Sequence, residues 1–200
     1  MGDDIAGRSW FRKLLDFLRR PPAWSLWSVV LIGMVAGIVF WGGFHTAMDA
    51  TNTITFCTGC HEMHDNVYQE YQGTIHDSNR TGVRAICSDC HVPKDWLHKV
   101  ARKIQASNEV YHKLVGTVNT KEKFEANRMA MATRVWKVMK DSNSRECRNC
   151  HSFEAMATSK QKPKAQKKHA EALAAGKTCI DCHKGIAHLL PREYEEPDDE

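Results

Sequence analysis

The chain has no cysteine to spare, no strand-like alternation and no charge across its longest apolar run. Its eight cysteines all fall in four Cys-x-x-Cys-His motifs, Cys57-Thr-Gly-Cys60-His61, Cys87-Ser-Asp-Cys90-His91, Cys147-Arg-Asn-Cys150-His151 and Cys179-Ile-Asp-Cys182-His183. The lack of alternating apolar and polar residues argues against a sheet and for a mainly α fold. The uncharged run, Trp24 to Phe44, is 21 residues long, about 30 Å as a helix, the depth of a bilayer's hydrocarbon core. No Ala-x-Ala-like site follows Phe44, so the run reads as an uncleaved anchor and not as a signal peptide. Strong excess of one charge is missing too: 28 Lys and Arg stand against 24 Asp and Glu, a formal +4, which gives no case for a nucleic-acid partner.

What the motifs contain is specific. Two thiols three positions apart on a short turn add to the two vinyl groups of one haem, and the following histidine is held under the iron as proximal ligand. Disulfide frameworks and zinc sites also use Cys-x-x-Cys spacing, but neither requires a histidine after every second cysteine. Four covalently bound haem c groups are expected, with His61, His91, His151 and His183 as proximal ligands. The histidines are spaced by 30, 60 and 32 residues. Two pairs result, and motifs two and four share an Asp before the second cysteine (Asp89, Asp181), a pattern that suggests duplication of a two-haem unit.

Arg8, Arg12, Lys13, Arg19 and Arg20 precede the apolar run, and Trp24, Trp27 and Trp41 lie near its ends. The positive-inside rule and the aromatic belt put the N-terminus in the cytoplasm and the motifs outside, in the periplasm of a Gram-negative inner membrane. The expected organisation is a basic cytoplasmic segment over 1–22, a transmembrane anchor over 23–44, a periplasmic haem domain over 45–191 with haem pairs in 57–118 and 147–191, and a disordered acidic tail over 192–200. Phe11, Leu14, Leu15 and Leu18 form one face of a short juxtamembrane helix. Gly33 and Gly37 have the small-xxx-small spacing of helix contacts in membranes, which suits a homodimer.

The exterior helices are expected over 95–115, with Asp95 near its start, over Thr120–Lys140, with Thr120 as N-cap, and over Ala165–Ala175, stopped by Gly176. About 155 exterior residues must surround four macrocycles, so the haems themselves supply most of the core. From His45 to Pro191 there are 22 Lys and Arg against 15 Asp and Glu; the haem propionates bring about eight negative charges in return.

A haem with two strong axial ligands carries electrons, whereas an open site binds substrate, so the distal ligands decide the chemistry. Seven histidines remain for them. His188, His76 and His169 are the stronger choices: His188 follows the last motif too closely to reach over its own haem but suits a neighbour's, His76 follows the first motif by fifteen residues, and His169 stands in a helix among lysines. His45, His64, His98 and His112 are the weaker ones.

The runs GIVFWGGF, FCTGCHEM, VYQEY, CSDCHVP, KFEANRMAMA, ECRNCH and CIDCHKGIAH, together with His76-x-x-Asn-Arg-x-Gly-Val-Arg-Ala, resemble the NapC/NirT family of membrane-anchored tetrahaem cytochromes, in particular its nitrate-reduction branch. The resemblance covers nearly the whole chain. It implies oxidation of a membrane quinol, menaquinol or ubiquinol, and delivery of electrons to a periplasmic reductase. The reductase expected first is a nitrate reductase or its cytochrome subunit, with nitrite or trimethylamine-N-oxide reductase, or a passive electron wire, as alternatives.

It also implies ligands. His188 matches the distal ligand of the third haem (His151), and His76 that of the fourth (His183). For the second haem a shorter relative, NrfH, uses a lysine at the position of Lys103; Lys94, His98 and His112 also compete for it, since this chain reads His91-Val-Pro-Lys94. For the first haem the same relative uses a methionine at the position of Met63 in place of His61, and His169 competes for that iron. Glu109 lies one position from the acidic residue of the relative's quinol pocket, so Lys103 and Glu109 are the expected quinol-site bases.

Overall fold

The computed structural model describes Trp10, Arg12, Lys13, Asp16 and residues 26–195. The juxtamembrane helix and the end of the acidic tail therefore lie largely outside the described residues. The chain forms two compact units, Met1–Met48 and Asp49–Glu200, and among the described residues there is no strand.

The first unit is dominated by α1 (Leu26–Ala50), which continues six residues past the Phe44 expected from the uncharged run. None of its residues is buried. Leu31, Ile32, Met34, Val35, Ile38, Val39 and Phe40 are all exposed, so apolar side chains point in every direction, as in a helix whose solvent is lipid. A Cβ added at Gly33 or Gly37 would meet nothing within 4 Å, which leaves that face flat.

The second unit is a series of short helices joined by turns. In order they are α2 (Ile54–Cys57), a π-helical turn (Met63–Tyr68), α3 (Gln69–Tyr71), α4 (Cys87–His91), α5 (Trp96–Leu114), α6 (Lys121–Asp141), α7 (Arg145–Arg148), a 3₁₀ turn (Thr158–Lys160), α8 (Pro163–Ala174) and α9 (Cys179–Cys182). The caps explain the boundaries. Asp95 accepts the His98 N–H at the start of α5, and the Thr120 hydroxyl accepts the Lys123 N–H at the start of α6, each satisfying a donor the helix cannot. Pro163 opens α8, and Gly176 follows it in the left-handed region at φ +67°, the usual asymmetry of start and stop.

The polypeptide has little core of its own. Apart from Pro93 and Pro191, the buried apolar side chains among the described residues are Tyr71, Phe124 and Ile180. Buried polar groups outnumber them: Glu62, Asn66, Arg128, Ser144 and Glu146. A helical domain of this length that relied on its own side chains would bury a continuous apolar stripe along α5 and α6. Instead Trp96, Leu97, Ile104, Tyr111 and Leu114 of α5 are exposed.

The start of the acidic stretch is not free chain, as expected for 192–200. Tyr194 packs edge-on against Trp136 at 5.2 Å, and Lys184 lies 5.3 Å from both rings. An aromatic–cation sandwich of this kind holds the Tyr194 segment on α6.

Replacing Thr120 by Ala removes the α6 cap and should lower stability by about 1 kcal/mol, whereas Thr120→Ser should retain most of it. Thermal unfolding of the full-length protein followed by circular dichroism checks this; equal midpoints for the two variants would contradict it.

Candidate haem site

Each motif is a short turn whose geometry has a local cause. In α4, Asp89 Oδ2 accepts the Ile86 N–H at 3.0 Å, and in α9 Asp181 Oδ2 accepts the Thr178 N–H at 2.8 Å. This half of a capping box is the physical reason for the Asp shared by motifs two and four. All eight cysteines are free of disulfides. No group of three or more His, Cys, Asp or Glu among the described residues is placed to hold a bare metal ion.

The motifs follow one another in space. Ser88 in motif two donates to the Asn52 carbonyl just before motif one at 2.8 Å. Arg145 beside motif three reaches Asp95 after motif two at 3.6 Å. Ser144, fully buried in the left-handed region at φ 51°, accepts the Ile180 N–H of motif four at 3.2 Å. The order in space is one, two, three, four.

Three of the four motif histidines face a second histidine. Ring centroids are 6.2 Å apart for His91 and His188, 6.3 Å for His76 and His151, and 5.9 Å for His169 and His183. Two imidazoles bound trans to one metal, with nitrogens about 2 Å from it, have centroids roughly 6 Å apart. These separations fit an iron between the rings, and with the free cysteine pairs they fit haem c.

The hydrogen bonds of the distal rings fit as well. His188 Nδ1 lies 3.2 Å from the Val67 carbonyl and His169 Nδ1 lies 2.8 Å from Gln161 Oε1. Nδ1–H donates in each case, which fixes the tautomer and leaves the Nε2 lone pair free to bind a metal. The His76 Nδ1 is buried without a hydrogen bond. Burial pulls the His91 imidazole down to about 4, with His188 and Arg102 adding to the effect, so it is neutral, the form in which imidazole binds metal.

The pairing differs from the one implied by resemblance. His188 faces His91 and not His151, His76 faces His151 and not His183, and His169 faces His183 and not the first motif. Lys103, expected opposite His91, is turned elsewhere: its Nζ donates to the Thr51 carbonyl at 2.9 Å and to Thr51 Oγ1 at 2.8 Å. The reason lies in α5, where Arg102 takes the place beside motif two and donates to the His91 carbonyl at 3.3 Å. Its neighbour Lys103 is thereby directed to motif one. His98, His112 and Lys94 are likewise engaged locally, His98 with Asp95, His112 with Thr117, and Lys94 near Asp89.

Around the first motif the arrangement is distinct. No second histidine ring faces His61 among the described residues; its Nε2 lies 3.4 Å from Glu62. Glu62 is buried and receives Lys113 Nζ at 2.8 Å. A cavity of about 240 Å³ opens here, lined by His61, Glu62, Asp65 and Asn66 and by residues 118–121. Met63 begins the π-helical turn and is partly exposed. Cys57 is drawn down to about 7, most by a hydrogen bond to Cys87, against burial, with Lys103 helping and Glu109 opposing. Lys103 and Glu109 are thus both within electrostatic reach of Cys57. Burial and the neighbouring Arg102 and Lys99 lower the Lys103 ammonium below its ordinary value, with Cys57 and Asp49 opposing. Glu109 is exposed and bound to Arg102 at 2.6 Å.

The groups that hold His188, His76 and His169 in place lie outside the Cys-x-x-Cys-His motifs. Arg128 of α6, nearly buried, donates to both carboxylate oxygens of Glu70 at 2.7 and 2.5 Å and to the Leu189 carbonyl at 2.7 Å. Glu70 in turn accepts the Leu189 N–H at 2.9 Å. The residue after His188 is therefore clamped through both its backbone groups. Gly185 makes the reversal that sends His188 back to motif two: its φ is +73°, and an added Cβ would meet Leu190 at 3.0 Å. Tyr71 does the same service for His76, donating to the His76 and Ala85 carbonyls. Gln161, eight residues before His169, carries no sequence signal of its role.

The profile described as the NapC/NirT cytochrome c family, N-terminal region, matches residues 20–193. The chain is 58% identical over 188 residues to the denitrification system component NirT of Stutzerimonas stutzeri, covering 94% of each. It is 52% identical over 197 residues to the cytochrome c-type protein NapC of Escherichia coli strain K12, covering 98% of each. It is 46% identical over 182 residues to the cytochrome c-type protein TorC of that strain, covering 90% of this chain and 46% of the relative. No solved structure gives a significant match.

Arg128→Leu strands the Glu70 carboxylate in a nearly buried position and should cost about 3–5 kcal/mol. Glu70→Gln combined with Arg128→Leu should recover part of that loss. Chemical unfolding of the full-length protein measures both, and a double variant no better than the single one would contradict the clamp.

Proposed function

Because this chain belongs to the NapC/NirT cytochrome c family, we propose that it holds four haem c groups outside the cytoplasmic membrane, oxidises quinol there and passes the electrons to a periplasmic reductase. It is a membrane-anchored electron-transfer cytochrome of anaerobic respiration carrying covalent haem c. The observation that supports the ligand set best is the three imidazole pairs, separated by 5.9 to 6.3 Å.

In this reading His91 and His188 hold the second haem, His151 and His76 the third, and His183 and His169 the fourth, while His61 or Met63 binds the first. Bound haem c supplies one-electron carriers of tuned potential. Two strong ligands on three sites leave no place there for a small substrate, which favours electron carriage over a terminal reductase. The first site has no facing histidine among the described residues, and it follows α1 by only seven residues, from Ala50 to Cys57. A membrane-confined quinol would meet the protein at that end.

Quinol oxidation releases two protons with its two electrons, so a base must stand beside the first site. Lys103 is proposed to do this work. Its ammonium is weakened by burial and by nearby cations, so the neutral amine is more accessible than in an exposed lysine. Thr51 holds it in place through two hydrogen bonds. Glu109, tethered by Arg102, is the proposed second acceptor toward water.

Orientation follows from the basic residues before α1, which keep the N-terminus in the cytoplasm. The electron acceptor proposed first is a nitrate reductase or its cytochrome subunit, by analogy with the NapC relatives. The greater identity to NirT favours a denitrification enzyme as a second reading. The flat Gly33–Gly37 face of α1 is the proposed contact of a homodimer.

Mixing a reduced menaquinol analogue with the full-length protein in detergent should reduce its haems within the stopped-flow time range. Lys103→Met should slow this by about a hundredfold, with covalent haem content unchanged. Absence of haem reduction in the wild type would overturn the quinol reading, and an unaltered rate in the variant would remove Lys103 from it.

A further inference from the structure

The excess positive charge of the exterior domain is gathered in one place. Between Thr158 and Lys177 there are six lysines and one glutamate; over the rest of His45–Pro191 there are 16 basic and 14 acidic residues. All six lysines, 160, 162, 164, 167, 168 and 177, are exposed. The same segment carries His169, whose ring faces His183 of the fourth motif. On α8, Ala165, Gln166, His169 and Ala172 are half-buried, while Lys164 and Lys167 project from the far side of the helix from His169 and Lys168 from its exposed flank. Cys182 and His183 are themselves exposed.

We propose that the outer face of α8, with Lys164, Lys167 and Lys168 at its centre, is the docking surface for an acidic-faced soluble redox protein that takes electrons from the fourth haem site. This rests on the electron-transfer reading above. Motif four ends the spatial order that begins at the motif tethered to α1, so it is where electrons leave. Glu171 pairs with Lys167 at 3.8 Å and leaves the patch strongly positive, and such a patch beside an exit steers a partner of opposite sign and fixes its orientation over the exit.

Two other uses of the lysines fit less well. Lysines that neutralise propionates would lie on the face of α8 that carries His169, and Lys164 and Lys167 lie on the far side of the helix from it. A helix that binds a lipid surface needs bulky apolar residues next to its cations, and α8 has only Leu173. The site is also at the opposite end of the motif order from the membrane tether.

The test uses full-length protein, reduced with dithionite so that it does not depend on quinol chemistry. It is mixed with oxidised acidic blue-copper protein or, separately, with basic mitochondrial cytochrome c. The acidic acceptor should react faster, and its rate should fall about tenfold between roughly 0.02 M and 0.3 M salt. Replacing Lys164, Lys167 and Lys168 together by Glu should lower the low-salt rate at least about tenfold and abolish most of the salt dependence. The same three positions changed to Gln should give an intermediate rate, and both variants should be reduced by menaquinol analogue as fast as the wild type. Equal rates with the two acceptors, or an unchanged rate in the Glu variant with full haem content, would overturn the proposal. So would loss of binding to anionic phospholipid vesicles with the acceptor rate intact, which would assign the patch to lipid. Failure of menaquinol to reduce the wild type, with the patch effect intact, would overturn only the quinol reading.

Discussion

Distant parts of the second unit are joined through imidazole pairs. His188 comes from the end of the chain to meet His91, His76 comes forward to meet His151, and His169 closes on His183. Each pair has the spacing of two ligands on one metal, and the pairs connect segments separated by 97, 75 and 14 residues. Tyr71, Phe124 and Ile180 make up the buried apolar side chains other than proline among the described residues. With so little packing between helices, these pairs and the hydrogen bonds around them join the segments that a side-chain core joins in other small domains.

The polar interior follows from the same constraint. A ligand arriving from a remote segment has to be aimed, and in a chain without a large core the aiming falls to hydrogen bonds and ion pairs. The Glu70–Arg128 pair fixes Leu189 next to His188, the Tyr71 hydroxyl fixes the backbone at His76, and Gln161 orients His169. Such outer contacts set tautomer and ring direction as firmly as the ligands set the metal. The first motif departs from this scheme: Glu62 and Lys113 stand beside His61 where a second histidine would be. That asymmetry sets the first motif apart from the other three.

Much of this was legible in the sequence, and the part that was not has a physical reason. The anchor, the helices around 95–115 and 120–140, and the Cys-x-x-Cys-His turns are local, set by apolar runs, caps and fixed spacings. His76, His169 and His188 stand out in the sequence by type and setting, and each faces a motif histidine in the structure. Which proximal histidine each one meets depends on long-range folding through Gly185, Arg128 and Tyr71, and spacing along the chain carries no record of it. Lys103 shows the limit clearly. Its distance from His91 matched a known ligand, but one step along α5 decides which motif a side chain faces, and there Arg102 occupies the place beside His91.

The central claim is that three irons each lie between two histidines and that the first does not. Electron paramagnetic resonance of the oxidised full-length protein tests it directly, because low-spin haems with two imidazoles are distinguishable from those with another axial ligand. The account predicts three bis-histidine signals and a fourth of different character. It predicts further that His169→Met, His188→Met and His76→Met each remove one bis-histidine signal and leave the other two. A spectrum with only two bis-histidine haems, or a His188→Met variant that leaves all three in place, would contradict it.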